Sequence, residues 1–178
     1  MEFNIKRELF LGGIQKTLGI VEKKTTMPIL SNLLLRAGQN RVTIMATDRE
    51  IGLVADYEAE ILREGEITLS ARKLHEMVRE IQGDTIHVVK NERDVVILTS
   101  NKAIYRIPGI PADDYPLVAD QGDLPFYKVK GGILKELIRK TAFAISTDEM
   151  RKNLCGVFME TEKTGESFLI RMVATDGH

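Results

Sequence analysis

The chain has 178 residues, 43% hydrophobic and 29% charged, the balance of a globular protein long enough for one full core and part of another. Twenty-five basic residues against twenty-six acidic ones leave a net charge of -1 and no Trp is present, which excludes a protein that grips nucleic acid by overall electrostatics or by a broad stacking surface. The single Cys155 excludes an internal disulfide framework, and His75, His87 and His178 have no zinc-site spacing, so neither a structural metal nor a cofactor is expected.

The N-terminal Met1-Glu2-Phe3-Asn4-Ile5-Lys6 has charges where a signal peptide needs an apolar run, and no later stretch approaches the roughly 18 apolar residues of a membrane span. A cytoplasmic protein with no membrane partner is expected. Glu2–Lys6 alternates, with Phe3 and Ile5 on one face, and the period then turns helical through Leu9, Phe10, Ile14, Leu18 and Val21. After Thr25, Thr26 and Pro28, the segments Asn32–Ala37, Arg41–Thr47 and Ile51–Ile61 read as three strands. The same order recurs as strand Glu66–Ser70, helix Ala71–Ile81, and strands Thr85–Lys90, Asp94–Thr99 and Ala103–Ile107. Pro108 to Pro125 is proline-rich and aperiodic, the composition of a connector, and predicts a domain boundary near Gly122: a first domain over 1–121 and an incomplete second over 122–178.

A third unit then opens with the strand Phe126–Lys130, where Tyr127 and Val129 match Phe3 and Ile5, and a helix from about Gly132 to Ala144. Leu30-Ser31-Asn32-Leu33 corresponds to Leu154-Cys155-Gly156-Val157, and Ile44-Met45-Ala46-Thr47-Asp48 to Met172-Val173-Ala174-Thr175-Asp176, with an insertion absorbed by a hairpin tip at 162–166. Repeats in a fixed order outweigh any one motif. The third unit lacks its closing strand and its partner unit, the pattern expected of a fragment.

Met27-Pro28-Ile29-Leu30-Ser31-Asn32-Leu33-Leu34-Leu35, Ala46-Thr47-Asp48, Ser70-Ala71-Arg72-Lys73, Ile110-Pro111-Ala112-Asp113-Asp114-Tyr115-Pro116 and Val173-Ala174-Thr175-Asp176-Gly177-His178 together resemble the beta subunit of bacterial DNA polymerase III, the sliding clamp, in register over the whole chain. The resemblance implies an α+β DNA-clamp fold, with helices packed on antiparallel sheets. It also implies a non-catalytic processivity factor of three similar domains, two chains closing into a homodimeric ring around double-stranded DNA. This chain would supply the first domain and half of the second, and should not form the ring alone. The implied partners are DNA held without sequence preference, DNA polymerase III, the clamp loader subunits and other clamp-binding replication and repair proteins.

Because helices line the hole in that family, each helix is expected to carry cations on one side: Lys16 with Lys23, Arg72 with Arg79, and Lys135 with Arg139. Each pair alone is also what a solvated helix face carries. The resemblance further places Lys24 at the DNA-facing end of the first helix, where it would equally suit the helix dipole, and Arg151 and Lys152 in a DNA-facing loop over 146–153. Some members have adjacent aromatics where this chain has Lys152 and Asn153. Leu154, Thr175, Gly177 and His178 match positions lining part of a hydrophobic pocket for partner peptides, whereas the residues alone read as a core leucine and a turn. The strand Ala103–Ile107 is expected at the subunit interface, with Tyr105 and Ile107 as apolar contacts and Lys102 and Arg106 as charge partners; an ordinary sheet edge guarded by two cations is the alternative.

From other classes, Asp48 with Glu50, or Asp176 beside His178, could form a divalent-metal nuclease site, although turns are the simpler explanation. A protein scaffold unrelated to DNA is the remaining alternative. No phosphate-binding glycine loop or serine-nucleophile motif is present.

Overall fold

Burying Phe3 and Ile5 on one face makes Glu2–Lys6 the first strand, β1, and the helix α1 (Arg7–Thr17) follows without a loop. The computed structural model describes residues 1–21, 27–116, 128–165 and 167–178, and the chain divides into two units, Met1–Asp120 and Gln121–His178. Gly122, where the boundary was expected, lies outside the described residues.

In the first unit, α1 leads to β2 (Asn32–Gly38), β3 (Arg41–Thr47) and β4 (Gly52–Arg63), and a second set follows: β5 (Gly65–Ser70), α2 (Ala71–Glu80), β6 (Thr85–Lys90), β7 (Val95–Ser100) and β8 (Ala103–Pro108). The expected first helix ran to Val21, but α1 stops at Thr17, whose hydroxyl donates to Ile14 O at 2.7 Å. Val21 is still buried because the next turn folds back, its N–H bonding Thr17 O at 3.0 Å.

The eight strands form one antiparallel sheet in the order β5-β2-β3-β4-β1-β6-β7-β8. The two sets interlock: β1 of the first pairs with β6 of the second (Ile5 opposite Ile86), and β5 of the second pairs with β2 of the first (Leu69 opposite Leu33). Just beyond β8, Ile110 bridges to Thr68 of β5 through two 3.0 Å backbone bonds, linking the two ends of the strand order. Phe3, Phe10, Ile14, Leu33, Leu74 and Leu98 are among the side chains of the single core this arrangement closes, with Phe3 and Phe10 edge to face at 6.2 Å. Burying several such side chains, at about 1.5–3 kcal/mol each, is what holds the sheet on its two helices.

The second unit holds α3 (Gly131–Thr141), a short 3-10 turn at Ala142–Ala144, another across Glu149–Leu154, and the hairpin β9 (Phe158–Thr164) and β10 (Ser167–Val173), with Met159 opposite Met172. Of the expected opening strand Phe126–Lys130, residues 126 and 127 lie outside the described residues and 128–130 are not paired as strand. Among the described residues of this unit only Ser146 is buried. None of the described apolar side chains of this unit is buried.

Candidate DNA-facing, partner-binding and edge surfaces

The helix faces come first. On α1, Lys16 is exposed, its ammonium 5.8 Å from the Tyr57 ring centroid and 3.5 Å from the Tyr57 hydroxyl, to which it donates. Lys23 and Lys24 lie outside the described residues. On α2, Arg72 and Arg79 are both exposed, about 10 Å apart along the axis at 1.5 Å per residue. Arg79 pairs with neighbouring Glu80 at 3.1 Å, and on α3 Lys140 pairs with Glu136 at 3.0 Å while Lys135 and Arg139 remain exposed. Exposed pairs of this kind contribute about 0–1 kcal/mol, so another anion can displace them. Exposed side chains of α2 set Arg72, Lys73 and Arg79 against Glu76 and Glu80, net +1; those of α3 set Lys135, Arg139 and Lys140 against Glu136, net +2.

The two Thr-Asp segments build the same turn. Thr47 Oγ1 accepts from Arg49 N at 2.9 Å and Asp48 Oδ1 from Glu50 N at 2.9 Å; Thr175 Oγ1 accepts from Gly177 N at 3.0 Å and Asp176 Oδ1 from His178 N at 3.0 Å. The third residue is left-handed in both, Arg49 at φ +78° and Gly177 at φ +92°, a conformation that costs Arg49 energy and Gly177 almost none. Asp48 also accepts from Ile51 N at 2.6 Å, and these amides hold its carboxyl below the usual carboxylate range. Its lone pairs therefore serve the turn, and no group of three metal-ligating side chains occurs among the described residues.

Gly177 matters for a second reason: a Cβ there would stand 3.0 Å from Arg151 Nη1 and 3.7 Å from Leu154 Cδ1. Arg151 is itself fastened, donating to Asp148 Oδ2 at 3.0 Å and to Asp176 O at 3.4 Å. Leu154 and Gly177, expected together, are thus joined by Arg151, which had been assigned to a different surface. Thr175, His178 and Lys152 are exposed, the His178 ring 3.7 Å from Asp176.

On the edge, β8 pairs on one side with β7, and the alternation of its side chains corrects one expectation. Ile107 stands opposite Val96 and Tyr105 opposite Leu98, both facing the core; Ile107 is completely buried and has no side-chain surface to offer a neighbour. Tyr105 is half-buried against the same core. Ile104, opposite Thr99 and 56% exposed, is the outward apolar side chain, flanked by exposed Lys102 and Arg106.

Comparison with known families gives two consecutive matches: residues 1–119 fit the model of the DNA polymerase III beta subunit N-terminal domain, and residues 128–178 that of its central domain. The chain belongs to the DNA polymerase III beta subunit family. It is 33% identical to the beta sliding clamp of Caulobacter vibrioides over 180 residues and 31% identical to that of Pseudomonas putida over 179 residues, covering in both cases 100% of this chain and 48% of the relative. Among solved structures, the sliding clamp of Bacillus subtilis superposes with a TM-score of 0.92 at 28% identity, covering 100% of this chain and 48% of that one. The α+β clamp fold is therefore shared with the family. This chain spans about half the length of the curated relatives it matches.

Three residues that hold these surfaces escaped the reading of the sequence. Arg7 donates from Nε to Val78 O at 3.2 Å and from Nη2 to Arg79 O at 2.7 Å, capping the end of α2 from the start of α1, a favourable place for a cation. Tyr115, buried in the connector, donates to Asn32 O at 3.2 Å and ties that segment over β2 and β3. Ile104 is the third. The family patterns carry no sign of Arg7 and include Tyr115 only as part of the connector motif, without its buried hydrogen bond; Ile104 was open to a parity argument along β8.

Proposed function

We propose that this chain is part of a ring-shaped processivity factor that encircles duplex DNA and tethers the replicative polymerase, with no catalytic role of its own. The observation that carries the reading is the in-register match to two consecutive clamp domain models across the chain. The exposed cations on all three helices support it: Lys16, Arg72, Arg79, Lys135 and Arg139 would meet phosphates, as would Arg151 and Lys152. Interspersed Glu76, Glu80 and Glu136 keep that attraction weak, which suits a ring that slides.

Retention is then topological, since leaving closed DNA requires opening the ring. Tethering raises the polymerase's effective concentration at the primer end. Leu154, Thr175, Gly177 and His178 would form part of the partner-peptide site, serving DNA polymerase III, clamp loader subunits and repair proteins. In the full-length homodimer the backbone edge of β8 would add a neighbouring strand, with Lys102, Ile104, Tyr105 and Arg106 at the contact.

The test uses the full-length product of the same gene, loaded by its clamp loader onto nicked circular DNA. Retention should be lost when the circle is linearised. Equal retention on both forms would mean ordinary surface binding and would sink the encirclement reading.

A further inference from the structure

The two helices of the first unit end in different ways. α1 satisfies its last carbonyls locally: the Thr17 hydroxyl donates to Ile14 O, Leu18 N to Gln15 O at 3.3 Å, and Ile20 N and Val21 N to Thr17 O at 2.9 and 3.0 Å. α2 does not turn back. Ile81 N still bonds Met77 O at 3.2 Å, but Ile81 is extended, at φ -64° and ψ 128°, and the chain runs straight on towards β6. The carbonyls of Val78 and Arg79 therefore meet no following turn. Arg7 reaches both, with Nε at 3.2 Å from the first and Nη2 at 2.7 Å from the second.

Sheet register puts Arg7 there. Lys6, the last residue of β1, stands opposite Thr85, the first of β6, and Arg7 N donates to Asp84 O at 2.8 Å, so α1 begins beside the place where α2 ends. The residue that opens α2 is Ala71, too short to reach a neighbouring helix end, and α1, closed by its own bonds, does not require it. The same terminus of α2 carries Arg79, one of the cations proposed to meet DNA. Beside it lies the negative end of the helix dipole, equivalent to about half a charge, and exposed Glu80 pairs with it at 3.1 Å. A phosphate approaching Arg79 would thus be repelled by the helix that presents it. A guanidinium held on the two carbonyls offsets that dipole end. On the encircling reading above, we infer that Arg7 is a positioning residue for DNA contact: fixed on the last carbonyls of α2, it lets Arg79 engage a phosphate and does not touch DNA itself.

The test uses the full-length protein loaded on nicked circular DNA, with residence time measured against salt concentration. Arg7→Gln keeps a side-chain donor, and with it the fold by far-UV circular dichroism, but removes the charge. It should shorten residence about two- to five-fold, the range a charge at a helix end supplies, and lower the salt slope by about 1, the share of one phosphate contact. Arg79→Ala should lower the slope equally, and Arg7→Gln added to Arg79→Ala should change it no further. Arg7→Lys keeps the charge at the carbonyls and should keep the wild-type slope. An additive double variant would make Arg7 a phosphate contact in its own right. An unchanged slope in Arg7→Gln, or a lowered one in Arg7→Lys, would leave Arg7 a cap of the fold alone. Each of these overturns the inference. Equal wild-type retention on circular and linearised DNA overturns the encircling reading with it, whereas a wild type that depends on the closed circle, beside an unchanged Arg7→Gln, overturns this inference alone.

Discussion

Gly12 and Gly13 are neighbours on α1, and replacing each by alanine should change stability in opposite directions. A Cβ at Gly12 meets nothing within 4 Å, so Gly12→Ala gains the helix propensity difference of about 1 kcal/mol. At Gly13 the same atom would stand 2.7 Å from Ile44 Cδ1 of β3 and 2.7 Å from Tyr57 Cε2 of β4, against an ordinary carbon separation of about 3.5–4.0 Å. Ile44 is completely buried and has no free volume to swing into, so α1 must lift or the core must shift, at about 1–3 kcal/mol. Set against the same propensity gain, Gly13→Ala comes out destabilised by up to about 2 kcal/mol, and the two variants should differ by roughly the full overpacking cost.

Urea unfolding followed by tyrosine emission reads this, because three of the four tyrosines, Tyr57, Tyr105 and Tyr115, belong to the first unit and no Trp competes. With a slope of about 1–3 kcal/mol per molar, the midpoints should separate by about 1 M. Ile44→Val removes one of the two close carbons and should restore part of the loss in the Gly13→Ala background, a coupling of about 0.5–1 kcal/mol. The contact also seats Lys16, whose ammonium lies over the same Tyr57 ring, so a lifted α1 shifts a cation proposed to face DNA. If Gly13→Ala were as stabilising as Gly12→Ala, close approach would not be the reason for glycine there.

Burial pushes the Tyr115 phenol up to about 12 from 10, so the folded chain keeps a proton that the unfolded chain releases from pH 10 upward. The wild type should therefore lose about 2 kcal/mol of stability between pH 10 and 12 relative to Tyr115→Phe, which at neutral pH costs about 1 kcal/mol for the hydroxyl's hydrogen bond; parallel alkaline unfolding curves would refute this. Asp48→Ala should destabilise the β3–β4 turn by about 1–2 kcal/mol at neutral pH. Its carboxyl is held low in the fold, so that contribution is present above the unfolded value and fades as pH falls through the folded one. An acid unfolding profile identical to wild type would count against it. In the full-length clamp, Arg72→Ala with Arg79→Ala should shorten retention on circular DNA and flatten its salt dependence by a slope of about 2, measured as residence time against salt concentration; unchanged residence would remove α2 from the DNA-facing set.

Much of this fold was legible because one-face burial leaves a parity that sequence displays. β1, β3 and β6 fall at the expected residues, since Phe3 and Ile5, Val42 and Ile44, and Ile86 and Val88 are each separated by one polar residue, Asn4, Thr43 and His87. β8 defeats the same reasoning because both of its faces offer an isoleucine: Ile104 and Ile107 belong to opposite rows, and only pairing with Val96 and Leu98 on β7 decides which row is inside. The end of α1 was hidden for a different reason, since Val21 is buried in helical phase after the helix has stopped. Arg7 reaches the α2 terminus across 71 positions of sequence, which no local pattern reports. The proposed partner-pocket residues rest on family resemblance alone, because Thr175 to His178 by themselves form a turn that Thr47 to Glu50 form equally well.

That duplicated turn bears on how the surfaces acquired different roles. Both copies keep Thr and Asp because the side chains bond the backbone two residues on, and this requirement is local. The third position is free to vary only if it tolerates a left-handed backbone. Arg49 does so on the first unit at some cost, while at Gly177 a side chain would crowd Arg151 and Leu154. The glycine thus serves the cluster beside it more than the turn itself. Gly177→Ala discriminates the two roles: because Arg49 shows that a side chain can occupy this conformation, a loss confined to partner-peptide binding in the full-length protein would assign the glycine to the cluster, whereas loss of the second unit's fold would return it to the turn.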